Sequence, residues 1–190
     1  MNRQEALELL HQWTQSPGLR KHALGVEAAL RAYARKFDAD EEAWGIVGLL
    51  HDFDYERHPT PEEHPFRGVA HLKERGVPAE WTDAILGHAS YSGVPRTTDL
   101  AKVLFAVDEL VGFLTASALV QPDKRIAAVR VESVLKKLKD KAFAKNVSRD
   151  DIRQGAAELG VSLEEHIAFV LAALVEVSPA LGLAGIAADS

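Results

Sequence analysis

The chain of 190 residues contains no cysteine, which excludes disulfides, thiolate metal ligands and a cysteine nucleophile, and fits a reducing compartment. It also lacks a long hydrophobic run, since no stretch approaches the roughly 18 consecutive apolar residues of a membrane span. The opening MNRQEALELLHQW is amphipathic and has neither the apolar core nor the small-residue cleavage site of a secretory signal. A cytoplasmic protein with no membrane association is expected. Positive charge is scarce: 22 Lys and Arg stand against 28 Asp and Glu, a formal net charge of -6. That balance argues against a duplex nucleic-acid binder, which presents a basic face. A small nucleotide needs only one local basic patch and stays compatible. A glycine-rich phosphate loop and the HExxH zinc motif are absent too, as are alternating strand patterns, a fixed-period repeat and a low-complexity linker.

What is present is helical periodicity. Ala6, Leu7, Leu10 and Trp13 recur three or four residues apart, one apolar stripe on a first helix. Ser16 and Pro17 are suited to start a second over about 19 to 36, with Leu19, His22, Ala23, Val26, Leu30 and Tyr33 on one face. Asp40 is placed to cap a third, whose inward face carries Trp44, Val47, Gly48 and His51. HPTPEEHP then permits only loop and helix starts. A short helix ending near Gly76 is expected to align His64, Gly68 and His71, and the next to turn Trp81, Ala84, Ile85 and His88 inward. A long apolar helix over about 99 to 119 carries Leu104, Phe105, Asp108, Val111, Gly112 and Thr115 on one side. Beyond it come the basic segment RIAAVRVESVLKKLKDKAFAKN and helices near 149 to 158 and 163 to 176. The expected fold is all-α, a single-domain helical bundle over 1–178 with its core at about 20–120, a helical C-terminal extension over 121–178 and a loosely structured tail over 179–190.

Polar residues inside apolar stripes need an explanation, because desolvating an unpaired carboxylate or imidazolium costs several kcal/mol. His22, His51 with Asp52, His64, His88 and Asp108 each fall on, or at the end of, an inward stripe of a different helix, and a bundle brings such stripes to one centre. Together they form a nitrogen and oxygen donor set suited to one or two divalent ions: manganese, iron, magnesium, nickel, cobalt or zinc.

The order His22, then His51-Asp52 in LLHDFDYE, then Asp108 resembles the signature of the HD superfamily of metal-dependent phosphohydrolases, all-helical proteins named for that dipeptide. LLHDFDYE is similar to the HDIG form of the motif, LLHDIG, with Phe53 and Asp54 in place of Ile-Gly. LVGFLTASALVQP and KKLKDKAFAKNVSRD resemble segments of small stand-alone bacterial members. The resemblance implies that His22, His51, Asp52 and Asp108 bind a first metal, and that Asp52 bridges to a second held by His64 and His88. Asp52 is thereby the implied catalytic residue. The implied reaction is hydrolysis of a phosphate ester or anhydride of a small metabolite, for which a nucleotide is a candidate, by a metal-activated water. Two alternatives are a di-iron oxygenase on the same scaffold and a non-catalytic metal-binding sensor module. Ala89 and YSGVP depart from the paired histidines and GYP loop of the HD-GYP group, so cyclic-dinucleotide cleavage is not expected.

Candidate substrate contacts are Arg67, one turn beyond His64; Tyr91 and Arg96, in the loop after His88; and Lys136 and Lys137, in the basic segment. Asp54 is placed to orient the His51 ring or a water. His71 reads as a core or supporting residue, His11, His58 and His166 as surface or boundary residues, and Glu27 as lying off the ligand face.

Overall fold

The computed structural model describes residues 1–185, and every regular element among them is helical. The order is α1 (Arg3–Trp13), α2 (Pro17–Phe37), α3 (Glu41–Leu50), α4 (Phe66–Glu74), α5 (Ala79–His88), α6 (Asp99–Leu119), α7 (Val131–Leu138), α8 (Arg149–Glu158), α9 (Leu163–Glu176) and α10 (Ser178–Leu181). Single 3₁₀ turns lie at Ser90–Ser92 and Ile126–Ala128. None of the described helices is long and apolar enough to cross a membrane.

The helix starts follow local chemistry. Asp40 accepts from the backbone N–H groups of Glu42 and Ala43, both at 3.0 Å, satisfying two donors that the first turn leaves free. Ser16 caps α2, with Pro17 in its first turn where the missing N–H costs nothing.

The two longest helices, α2 and α6, form the centre. α2 packs against α3, α6, α9 and α10, and α6 against α5, α8 and α9 as well. Val26, Ala29, Leu30 and Tyr33 of α2 meet Val107, Leu110 and Val111 of α6 in a continuous apolar core. Each fully buried Val or Leu there is worth about 1.5–3 kcal/mol relative to exposure. The α2–α3 contact is close because position 48 is glycine: a Cβ there would stand 2.8 Å from the Glu27 Cα. Glu27 itself is buried and neutralised by Arg3, with oxygens at 2.5 and 2.9 Å, and by Arg31 at 2.9 Å. It is a structural ion-pair centre.

A short helical-turn segment, residues 51–57, links α3 to the proline-rich stretch, and the α1–α2 junction holds it. Thr14 donates its hydroxyl proton to the Phe53 carbonyl at 2.9 Å, and the Glu56 carboxylate accepts from the backbone N–H groups of Gln15 and Ser16 at 2.5 and 3.1 Å.

Two expectations need correction. His166 is not a surface or boundary residue: it is fully buried, donating Nε2–H to the Ala106 carbonyl at 2.9 Å and accepting the Tyr33 hydroxyl at Nδ1 at 2.6 Å. The stretch after 178 is not uniformly loose, because Leu181 and Leu183 are buried and Ile126 N–H bonds the Leu183 carbonyl at 2.9 Å. The remainder of the expected tail, 186–190, lies outside the described residues.

Burial lowers the His166 pKa from its ordinary 6.5, because the imidazolium would lose water and the ring nitrogen that accepts from Tyr33. The unfolded chain therefore binds the proton more tightly, and His166 contributes stability above pH 6.5 that is lost as pH falls through the native value. In denaturant titrations, the stability advantage of the wild type over His166→Gln should be widest above pH 6.5 and narrow steadily on acidification.

Candidate metal centre

Five elements deliver the donors. α2 carries His22, the end of α3 leads into His51 and Asp52, the turn before α4 carries His64, α5 ends at His88, and α6 carries Asp108. His64 thus lies just outside the short helix expected to include it, since α4 begins at Phe66.

The side chains converge as two groups sharing one residue: His22, His51, Asp52 and Asp108, and Asp52, His64 and His88. Within each group the ligand atoms all lie within 4.8 Å of one another. In the first, His22 Nε2 stands 2.9 Å from Asp108 Oδ1, and His51 Nε2 stands 3.3 Å from the same oxygen and 3.6 Å from Asp52 Oδ2. In the second, the Nε2 atoms of His64 and His88 lie 3.2 and 3.3 Å from Asp52 Oδ1. Asp52 therefore turns one carboxylate oxygen toward each group.

Three imidazoles are oriented from behind. His51 Nδ1–H donates to the Gly48 carbonyl at 2.8 Å, His88 Nδ1–H to the Ile85 carbonyl, and His64 Nδ1–H to Asp54 Oδ1 at 2.8 Å. Such outer bonds fix the tautomer with Nε2 as the free nitrogen, the arrangement metal-ligating histidines use. Asp54 thus positions His64, not His51 as expected. Its second oxygen accepts Gly68 N–H at 2.7 Å, and only glycine allows this approach, because a Cβ at 68 would stand 2.7 Å from the Asp54 carboxyl carbon.

The buried carboxylates and imidazoles shift one another strongly. Burial alone would push the carboxyl of Asp52 up, yet His51, His64 and His88 hold it well below the usual range. Burial acts in the same sense on Asp108, and His51 and His22 reverse it. Burial would lower the imidazoles, but the facing carboxylates raise His51 and His88 and bring His64 to about 9. The donor set fits a metal on a specific observation: His51 Nε2 is fully buried and has no hydrogen-bond partner. A buried polar atom costs about 1–3 kcal/mol when unsatisfied, and here a cation among four nitrogens and two carboxylates is the natural partner.

In front of these groups opens a cavity of about 420 Å³ whose walls include Leu19, Tyr55, Tyr91, Phe105, Glu109 and Asp151. Tyr91 sits there as expected, its hydroxyl donating to the His64 carbonyl at 3.0 Å. The four basic candidates do not line this cavity. Arg96 is committed elsewhere: its guanidinium pairs with the Glu158 carboxylate at 2.9 and 2.7 Å, donates to the Gly87 carbonyl at 3.0 Å and lies over the Phe105 ring. Arg67 is exposed on α4 near Glu63. Lys136 points outward from α7, and Lys137 donates to Ser133 Oγ at 2.7 Å. Glu109 and Asp151 went unrecognised, one because it follows Asp108 off the inward stripe, the other because it looks like an ordinary acid in the first turn of α8. Burial, then Asp108, pushes the Glu109 carboxyl up to about 7.

The model of the HD domain family matches residues 19–111, the span that holds all six donors. The chain carries an HD domain over these residues, and the domains of that family bind divalent metals and are generally those of metal-dependent hydrolases. Comparisons with curated proteins and with solved structures found no match.

Asp54→Ala should weaken metal binding by roughly 10- to 100-fold, read by metal titration of the purified chain. Affinity at the Asp52, His64 and His88 group should rise with pH up to about 9, since proton and cation compete for the same nitrogen. Arg96→Ala should lower unfolding free energy by about 1–3 kcal/mol and leave metal affinity unchanged, as befits a strut between α8 and the loop after α5.

Proposed function

We propose that the protein is a metal-dependent phosphohydrolase that cleaves a phosphate ester of a small metabolite. The observation that carries this reading is Asp52, which offers Oδ2 to the His51 side and Oδ1 to His64 and His88. A carboxylate so placed would be shared between two ions, the first completed by His22, His51 and Asp108 and the second by His64 and His88. Divalent ions held there supply Lewis acidity, which lowers the pKa of a water and draws charge from a phosphoryl oxygen.

The chain's own contribution is positioning. The Gly48 and Ile85 carbonyls and the Asp54 carboxylate hold three imidazoles in the tautomer that keeps Nε2 free. Tyr55 and Tyr91 line the cavity and are themselves exposed, so they stand where the donor face opens to solvent. The substrate phosphate would lie against the donor face, between these rings and α6.

The test combines metal analysis with a screen of general phosphomonoesters and nucleotides in manganese, magnesium, nickel and iron. Asp52→Ala and His51→Ala should each lose both bound metal and hydrolysis, whereas His11→Ala, on the exposed face of α1, should lose neither. Full activity in Asp52→Ala would refute the proposal.

A further inference from the structure

The cavity in front of the donors has an unusual charge for a site that receives phosphate. Among the described residues no lysine or arginine lines it, yet two carboxylates beyond the donor set do, Glu109 and Asp151. The Glu109 side chain and the Asp151 backbone are both tied to Ser148. Glu109 Oε2 accepts the Ser148 N–H at 3.1 Å, and Asp151 lies in the first turn of α8, its own N–H bonded to Ser148 Oγ at 3.2 Å. The donor cluster itself forms the floor of this cavity, with His22, Asp52, His64, His88 and Asp108 in its lining.

Even with a divalent ion at each donor group, Asp52, Asp108 and Asp151 offset most of the ionic charge, and Glu109, pushed up to about 7, offsets more of it in its ionised form. Little positive potential is then left for a second or third phosphate, and a nucleoside polyphosphate would meet repulsion from Glu109 and Asp151. A cationic group gains from them instead, and the Tyr55 and Tyr91 rings line the same cavity, where an aromatic face favours an ammonium.

We propose that the preferred substrate is a phosphomonoester of an amino alcohol, with its phosphate toward the histidine and aspartate donors and its ammonium toward Glu109 and Asp151. The proposal rests on the phosphohydrolase reading. In the reaction, a water oxygen forms a bond to phosphorus, the ester P–O bond breaks and the leaving oxygen takes a proton, releasing inorganic phosphate and the free amino alcohol. Glu109 and Asp151 act as specificity residues, pairing with the part of the substrate that does not react.

The test compares 2-aminoethyl phosphate with propyl phosphate, nearly equal in size and differing in the ammonium charge. Binding to the metal-loaded full chain is measured by calorimetry and turnover by phosphate release. The amino ester should be favoured about ten-fold or more in both readouts, the scale of hydrogen bonds to charged groups, and the ratio should fall toward one in Glu109→Gln/Asp151→Asn. Asp151→Asn alone, read the same way, replaces the double variant if thermal unfolding shows that the latter does not fold. A wild-type ratio near one, or a ratio unchanged in the folded variant, overturns the proposal. Equal hydrolysis of both esters removes charge selection and leaves the hydrolase reading standing. Tighter binding of the amino ester with no hydrolysis of either removes the hydrolase reading and upholds the charge selection.

Discussion

Two carboxylates and four imidazoles held within a few ångströms of one another repel or desolvate one another unless a cation intervenes, and much of this molecule serves to keep them there. Asp52 is the shared member, with one oxygen for each cluster. Its neighbours cannot swing away, because His51, His64 and His88 are bonded at Nδ1 to groups embedded in helix ends or in the turn after α3. The apolar core around α2 and α6 provides the rigidity, so His22 and Asp108 meet across the contact between the two longest helices.

The supporting residues show how far the constraint extends. Gly48 brings α3 against α2, which sets the distance between His51 and His22. Gly68 lets α4 approach Asp54, which sets the angle of His64. Neither glycine bears a reactive group, yet each governs a donor through a contact that a single methyl would obstruct. The histidine at 166, remote in sequence, completes a polar bridge from α9 to α2 and α6 inside the core.

The donors were legible in the sequence because they interrupt a helical period: a histidine or aspartate at an inward position has few ways to be satisfied, and helical stripes converge. The all-α fold was legible for the same reason, with the helices at 99–119, 149–158 and 163–176 matching the apolar pattern closely. Arg96 was not, because its partner Glu158 lies 62 residues away and nothing local distinguishes a paired guanidinium from a free one. His166 carried the same ambiguity, since its hydrogen-bond partners come from α2 and α6. Glu109 and Asp151 were invisible as cavity residues because their roles depend on where α8 lands against α6, a tertiary contact without a periodic signature. Leu181 and Leu183 were lost in a stretch rich in small residues, where two burial anchors make too short a pattern to register.

The clasp at the α1–α2 junction has a wider reach than its three hydrogen bonds imply. Thr14 and Glu56 bind the turn that bears Asp52 to the start of the helix that bears His22. The spacing between these two ligand carriers is thereby set by a helix that contributes no ligand of its own. An insertion between Trp13 and Pro17 would unfasten the turn from α2 while leaving every donor chemically intact, so the evolution of this linker's length is coupled to a site it never touches.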